Sequence, residues 1–380
     1  MMCPLREAAR ETPNHIAILS KSTCMTFREL DRYVDRVKVL GGVVQAEPTI
    51  EVIAQFFACW RQDKCIFPVN PRGVAGGVNG GPAKSVLLYT SGSTSSPKIA
   101  VLSLDSLLAN AKGCVEAVDL RIGDQWRLSL PLYHVGGIGI VLRCVLARAA
   151  IVLDDSMDIT HLSYIPTHLY RTTPVYKKLR CLLLGGSPVL SVPKGLPIRL
   201  SYGLTEMGSM VSLDGEVLKG REVKIAEDGE ILVRGSCLFN GYLGEEPVRG
   251  WFATGDLGKF DKGLVILGRK DWMFISGGEN IQPEEIEKEL LQLDQVMDAA
   301  VVAKKDAEFG QRPVAFVQAK GLNLRQMQKA LAGRLPKYKI PVALYLVEEI
   351  PKKNNFKIDR FILTQLANNE PDKNTSGQKK

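Results

Sequence analysis

The chain has four histidines and eight cysteines in 380 residues, and it lacks the spacings that would make them a metal or redox framework. Cys3, Cys24, Cys59, Cys65, Cys114, Cys144, Cys181 and Cys237 form no Cys-x-x-Cys pair and cluster with no histidine. That excludes a zinc module and predicts reduced thiols, most of them filling core positions. No dense Lys/Arg block with interleaved aromatics is present, and the net charge of +8 is spread along the chain. Such a distribution argues against nucleic-acid binding and suits a small phosphorylated ligand. The most apolar segment, Leu128 to Leu142, is broken by Pro131, His134 and three glycines, too short and interrupted to cross a bilayer. The first residues carry Arg6, Glu7, Arg10 and Glu11 around no apolar core, which is not a signal-peptide pattern. The expected location is the cytoplasm.

What is present fits a globular enzyme of two or three folding units, with 45% hydrophobic and 24% charged residues. From residue 83 onward, short apolar runs at Val86–Tyr89, Ala150–Leu153, Leu162–Ile165, Cys181–Leu184 and Ile198–Tyr202 read as strands. Leu104–Val118 between them has helical spacing, so the pattern predicts an α/β layering on a mainly parallel sheet. After Gly215, the runs Val223–Ile225, Ile231–Val233 and Leu264–Leu267, separated by Asp-Gly and Lys-Gly, predict antiparallel hairpins. A small α+β unit follows the polar join Gly268-Arg269-Lys270-Asp271. Its first helix starts at Pro283-Glu284-Glu285, with proline at the first position and acids at the positive end. Strands Ala299–Ala303, Val314–Gln318 and Ala343–Val347 and helix Leu324–Leu335 complete it. The expected division is 1–269, 270–367 and a disordered polar tail from 368 to 380.

One loop concentrates the polar chemistry. Tyr89-Thr90-Ser91-Gly92-Ser93-Thr94-Ser95-Ser96-Pro97-Lys98 follows an apolar run and gathers hydroxyls, a glycine and a lysine. Donors without bulk and a mobile positive charge suit a polyphosphate. A serine-rich surface turn has the same composition, and the common phosphate-loop spacing, glycine before the lysine and Ser or Thr after it, is absent.

Its companions narrow the reading. In chain order come Leu130-Pro131-Leu132-Tyr133-His134, Gly185-Gly186-Ser187-Pro188 and Ser201-Tyr202-Gly203-Leu204-Thr205-Glu206. They are followed by Trp251-Phe252-Ala253-Thr254-Gly255-Asp256, Gly268-Arg269-Lys270-Asp271, Ser276-Gly277-Gly278-Glu279-Asn280-Ile281 and Lys357-Ile358-Asp359-Arg360. This order resembles the adenylate-forming superfamily of acyl- and aryl-CoA ligases, luciferases and peptide-synthetase adenylation domains, over about residues 83 to 365. The resemblance implies a large α/β domain with a small antiparallel β region, a mobile small domain, and ATP, Mg²⁺ and coenzyme A as cofactors. It implies that Thr90, Ser91, Gly92, Ser93, Thr94 and Lys98 hold the β- and γ-phosphates, and that Gly185, Gly186 and Ser187 form the adenine slot with Tyr202 and Gly203. Thr205 touches the α-phosphate, Glu206 ligates Mg²⁺, and Asp256 accepts the ribose hydroxyls with Arg269 assisting. Lys357 bridges carboxylate and α-phosphate, His134 gates the thiol tunnel, Asp271 is the hinge, and Gly277 and Gly278 pass the pantetheine. Such cations and donors are what a reaction of anion with anion needs.

Within the superfamily the chain resembles the o-succinylbenzoate–CoA ligases of menaquinone biosynthesis. That similarity runs through Leu128–Val135, Ile165-Pro166-Thr167-His168-Leu169-Tyr170-Arg171, Gly220–Ile225, Ser276–Glu285 and Glu308–Val314. A diacid substrate needs a cation in an otherwise apolar pocket. Arg171 is the candidate, with Thr167 beside it and Gly136, Gly137, Ser209 and Met210 shaping the ring pocket; a helix-end role for Arg171 is the alternative. Ser95, Ile99 and Phe356 stand where relatives carry glycine, and the segment before the loop is short, which predicts a trimmed amino-terminal subdomain. An aryl- or fatty-acyl-CoA ligase, a carrier-protein acylating enzyme and a non-catalytic homologue are the competing readings. Self-association stays open.

Overall fold

The computed structural model describes residues 3–39, 42–72, 80–90, 98–155, 158–171, 174–186, 193, 195–353 and 357–369, without the side chains of Thr167, Tyr170, Arg171, Lys353 and Lys357. The centre is a nine-stranded sheet. Its strands run in the order Glu216–Val217, Ser209–Leu213, Ile198–Leu204, Cys181–Gly185, His161–Tyr164, Gln125–Arg127, Ala150–Val152, Ile16–Leu19 and Cys24–Thr26. Neighbours from Ile198–Leu204 through Ile16–Leu19 are parallel, and the strands at both margins are antiparallel. Ala150–Val152 and Cys181–Leu184 are apolar and buried, as strands covered on both faces are, whereas Ile198–Leu204 stays part-exposed. Helices Ile50–Arg61, Leu104–Ala117 and Val135–Ala147 supply side chains to the one large core that also holds Phe27, Trp126 and Ile151.

Val86–Tyr89 does not join this sheet. Ser85–Tyr89 pairs antiparallel with Ile99–Ser103, which in turn pairs with Gly241–Tyr242. Thr90 and Lys98 therefore face each other at the ends of these two paired strands, where the Thr90 amide donates to the Lys98 carbonyl at 2.8 Å. Apolar composition identified a buried strand but carried no information on which sheet would bury it. Similarly, Val135–Ala147 is a 13-residue helix despite three glycines. Gly137 is packed so closely that an added Cβ would sit 2.2 Å from the Pro131 carbonyl oxygen. Among the described residues no helix is long and apolar enough to cross a membrane.

The hairpins form a four-stranded antiparallel sheet of Arg221–Ile225, Glu230–Gly235, Phe252–Phe260 and Leu264–Arg269. Beyond it, Val296–Asp306, Gly310–Ala319 and Ala343–Leu346 form a three-stranded sheet covered by Pro283–Leu290, Leu324–Leu331 and Arg360–Asn369. Each apolar cluster of the described residues draws its side chains either from before residue 269 or from after residue 272. The last helix overruns the expected start of the tail. Leu363 and Ala367 are buried in it, and the Asn368 side-chain oxygen accepts from the Lys305 amide at 3.0 Å. Residues 370–380 lie outside the described ones.

Candidate functional site

The turn after Ile198–Leu204 is the organising element. Thr205–Met207 form one turn of 3-10 helix, ended by Gly208 in the left-handed region at φ 66°. Glu206 thus leaves the C-terminal edge of the large sheet, where open α/β sheets place their ligand crevices. Its carboxylate Oε1 accepts from the Tyr242 hydroxyl at 2.8 Å, and its carbonyl accepts from the Phe239 amide at 2.8 Å. Tyr242 connects this carboxylate to the loop lysine. The Lys98 ammonium lies 4.6 Å from the Tyr242 ring centroid and pairs with Glu245 at 2.9 Å. Burial, then the Glu206 charge, pushes the Tyr242 hydroxyl far above its ordinary pKa, so it stays a donor. Neither Tyr242 nor Glu245 was singled out by sequence; their meaning depends on the pairing of Gly241–Tyr242 with Ile99–Ser103, a non-local contact without a local signature.

A second cluster centres on Asp256. Its carboxylate side chain is 14% exposed and pairs with Arg269 at 3.2 Å. The Tyr202 hydroxyl donates to its other oxygen at 2.8 Å. Tyr202 is shifted strongly upward, first by burial and then by the Asp256 charge. The register explains the encounter: Asp256 and Arg269 are directly opposite on paired strands. Arg269 also donates to the Thr254 carbonyl at 2.9 Å and to Asp271 at 2.9 Å. Asp271 therefore sits in the 3-10 turn Lys270–Trp272 as a partner of Arg269. Lys270 reaches back to Asp228 at 2.6 Å and Glu230 at 2.7 Å.

The backbone at Arg269 is bound from the other side. Its amide donates to Glu284 at 3.0 Å, and its carbonyl accepts from the Gln282 side chain at 3.1 Å. Glu284 is buried, and that burial raises its pKa against the opposing pull of Arg360.

The remaining candidates are spread around this frame. His134 is the N-cap residue of Val135–Ala147, with its ring 4.6 Å from that of Tyr133. Gly136 and Gly137 occupy the first turn of the same helix. Gly185 and Gly186 end Cys181–Gly185, and Gly203 is pressed against Ser209, whose carbonyl oxygen would lie 2.2 Å from an added Cβ. Thr90 is buried and its hydroxyl donates to the Lys98 carbonyl at 3.3 Å. Gly277 and Gly278, at φ 56° and 87°, join Phe274–Ser276 to Glu279–Ile281, a two-residue hairpin turn that requires positive φ at both positions. Lys357 lies on a short strand paired with Lys352–Lys353, and positions 167 and 171 lie in helix Pro166–Arg171. Ser91, Gly92, Ser93, Thr94, Ser187 and the departures at Ser95 and Phe356 lie outside the described residues.

Among the described residues no group of three or more His, Cys, Asp or Glu could hold a metal. Glu206 alone fits Mg²⁺, which keeps its waters and takes one or two carboxylates together with substrate phosphates.

The model of the AMP-binding enzyme family matches residues 83–243, and that of the AMP-binding enzyme C-terminal domain matches residues 285–357. The chain is 32% identical over 327 residues to a 2-succinylbenzoate–CoA ligase of Listeria innocua, covering 74% of this chain and 70% of the relative. It is 36% identical over 313 residues to the 2-succinylbenzoate–CoA ligase of Salmonella typhimurium, covering 73% and 68%. Wild-type E. coli MenE, solved with a phenylether-linked analogue of OSB-AMS, shares the fold with a TM-score of 0.76 at 27% identity, covering 96% of this chain and 99% of that one. With its large, mainly parallel sheet and its small α+β unit in this order, the chain belongs to the family of AMP-binding, adenylate-forming enzymes that includes the 2-succinylbenzoate–CoA ligases.

Proposed function

We propose that the chain joins 2-succinylbenzoate to coenzyme A in two steps at the expense of ATP. In the first, a substrate carboxylate oxygen attacks the α-phosphorus; the bond from that phosphorus to the bridging oxygen breaks and pyrophosphate leaves. In the second, the coenzyme A sulfur attacks the acyl carbon, the carbon–oxygen bond to AMP breaks, and the thiol proton passes to solvent. The observation that carries the reading is the Tyr242 ring, which holds Glu206 on its hydroxyl and Lys98 on its face. One residue thereby brings together the carboxylate and the ammonium that a metal-bound triphosphate needs.

Each group then has a task. Lys98, with Thr90 and the loop residues Ser91, Gly92, Ser93 and Thr94, takes the leaving pyrophosphate, exchanging Glu245 for phosphate. Asp256, fixed by Tyr202 and Arg269, accepts the ribose hydroxyls. Thr205 donates to the α-phosphate, and Gly185, Gly186, Ser187 and Gly203 line the adenine. Glu206 would hold Mg²⁺, which would neutralise charge on the phosphates. Residues 1–269 act as the binding unit, and 270–367 presents Lys357 to the first step and Gly277–Gly278 to the second by rotation at Asp271. His134 stands between acyl pocket and thiol. Thr167, Arg171, Gly136, Gly137 and Ser209 surround the acid.

Pyrophosphate–ATP exchange with a panel of aromatic and aliphatic acids tests the reading. The expected result is exchange with 2-succinylbenzoate, and AMP release only when coenzyme A is added. ATP binding without exchange on any aromatic acid overturns it.

A further inference from the structure

Arg269 is held at its two ends by different parts of the chain. Its guanidinium meets Asp256, the Thr254 carbonyl and Asp271. Its peptide groups meet the small unit instead: the amide donates to Glu284 Oε1 at 3.0 Å, and the carbonyl accepts from Gln282 Nε2 at 3.1 Å. Two side chains thus satisfy both polar groups of one residue at the end of Leu264–Arg269, as a paired strand would.

The grip is built, not incidental. Gln282 and Glu284 are bonded to each other, Nε2 to Oε2, at 2.5 Å. They are the N-cap and second residue of helix Pro283–Leu290, so the start of that helix fixes their spacing. Gly268 makes room for them. An added Cβ there would lie 2.4 Å from Gln282 Nε2 and 2.7 Å from the Glu284 carboxyl group. The grip also carries a cost, because Gln282 Oε1 is buried with no hydrogen-bond partner. Turning the amide over would set that oxygen against the Arg269 carbonyl and the Glu284 carboxylate, so the orphan acceptor is inherent in the arrangement.

Arg269 precedes the turn Lys270–Trp272, and both gripping side chains follow it. Lys270 is tied to Asp228 and Glu230, in and beside the four-stranded sheet. A rotation of the small unit at Asp271 therefore carries Gln282 and Glu284 away from a peptide that stays behind. Grip and rotation exclude each other. We infer that Gln282 and Glu284 are positioning residues: by holding the Arg269 peptide they latch the small unit in one of its two working poses, and the latch must open between adenylation and thioester formation. The unpaired Gln282 oxygen weakens the latch and so eases its release. The inference rests on the ligase reading only for the existence of two poses.

Two measurements on the full chain test it. The first is hydrogen–deuterium exchange at the Arg269 amide, resolved by fragmentation mass spectrometry. It is read with a non-hydrolysable ATP analogue and Mg²⁺, and separately with AMP and coenzyme A. Exchange is expected to be at least about tenfold slower in one of the two states, the scale of one hydrogen bond to a charged acceptor. Equal exchange in both states overturns the latch. The second times the half-reactions separately by rapid quench: acyl-adenylate formation from ATP and 2-succinylbenzoate, then its consumption by coenzyme A. Glu284→Ala should change the ratio of the two rate constants about tenfold and Gln282→Met about threefold. Glu284→Gln, which keeps an acceptor for the Arg269 amide, should restore most of the ratio. A merely structural role would lower both steps alike, and that result also overturns the latch. If no acid supports pyrophosphate exchange, the ligase reading falls, and amide exchange in the two nucleotide states still decides the latch.

Discussion

Arg221 and Arg360 lie on opposite sides of residues 269–271 in the sequence, both largely buried, and their guanidinium groups meet different partners. Arg221 meets carbonyls: its Nε donates to Met210 at 3.0 Å, one Nη to Lys219 at 2.6 Å and the other to Asn110 at 2.9 Å. Asn110 adds donations to the carbonyls of Met207 and Met210 at 2.7 and 3.0 Å. Arg360 meets a carboxylate, with its two Nη atoms on Glu287 at 2.6 and 2.8 Å, plus the Val301 carbonyl at 2.6 Å and the Trp272 ring at 4.4 Å, while its buried Nε has no hydrogen-bond partner. The first arrangement fixes the backbone of the Thr205–Met210 turn and contains no titrating acid. The second ties the last helix to Pro283–Leu290 through an ion pair whose neighbour, Glu284, is itself buried. The site-bearing turn is braced by neutral acceptors, and the smaller unit by charge.

Removing the cations should expose that contrast. Arg360→Met leaves Glu287 buried without its counter-charge, and a loss of about 3–5 kcal/mol is expected, read as a lower denaturant midpoint. An effect under about 1 kcal/mol would mean the pair is no better than a solvated one. Arg221→Met orphans carbonyls and the Cys114 sulfur but no charge, at about 2 kcal/mol, but it frees the turn, so exchange activity should fall further than stability does. If both fall in step, the brace is not specific to the turn.

The pH dependence sharpens the same comparison. Glu284 has a folded pKa raised above its ordinary 4.5, chiefly by burial. Its contribution to stability is therefore full below that ordinary value and is lost as pH rises through the folded one. Glu284→Gln should flatten the unfolding free energy over that interval, whereas the turn braced by Arg221 should show no such slope. The smallest effect is expected at Tyr202→Phe, which removes one hydrogen bond to Asp256, about 1 kcal/mol, and should raise the KM for ATP a few-fold with kcat retained.

The chain's ordered motifs name most of the candidate residues, because each motif residue is chemically distinctive where it stands. Asp256 and Arg269 could be named separately, and the register of two strands then made them partners. Tyr242 and Glu245 escaped because their contacts with Glu206 and Lys98 join segments far apart in sequence. The same limit applies to the fold. The runs Cys181–Leu184 and Ile198–Tyr202 read as strands and the structure has strands there, at Cys181–Gly185 and Ile198–Leu204, but Phe252–Phe260 carries no such signal, since Gly255, Asp256 and Gly258 interrupt its alternation. Asp256 occupies a place in that strand because Tyr202 and Arg269 satisfy it.

The hairpin at Gly277 and Gly278 has a consequence for how this sequence can drift. Both glycines need positive φ, at a cost of about 1–2 kcal/mol for any other residue. Only at Gly277 would a side chain also strike a neighbour, the Phe309 ring at 2.7 Å; around Gly278 nothing lies within 4 Å. The first glycine is locked twice and the second once. On backbone and packing grounds, 278 therefore tolerates replacement better, beginning with asparagine, whereas 277 can change only after Phe309 has.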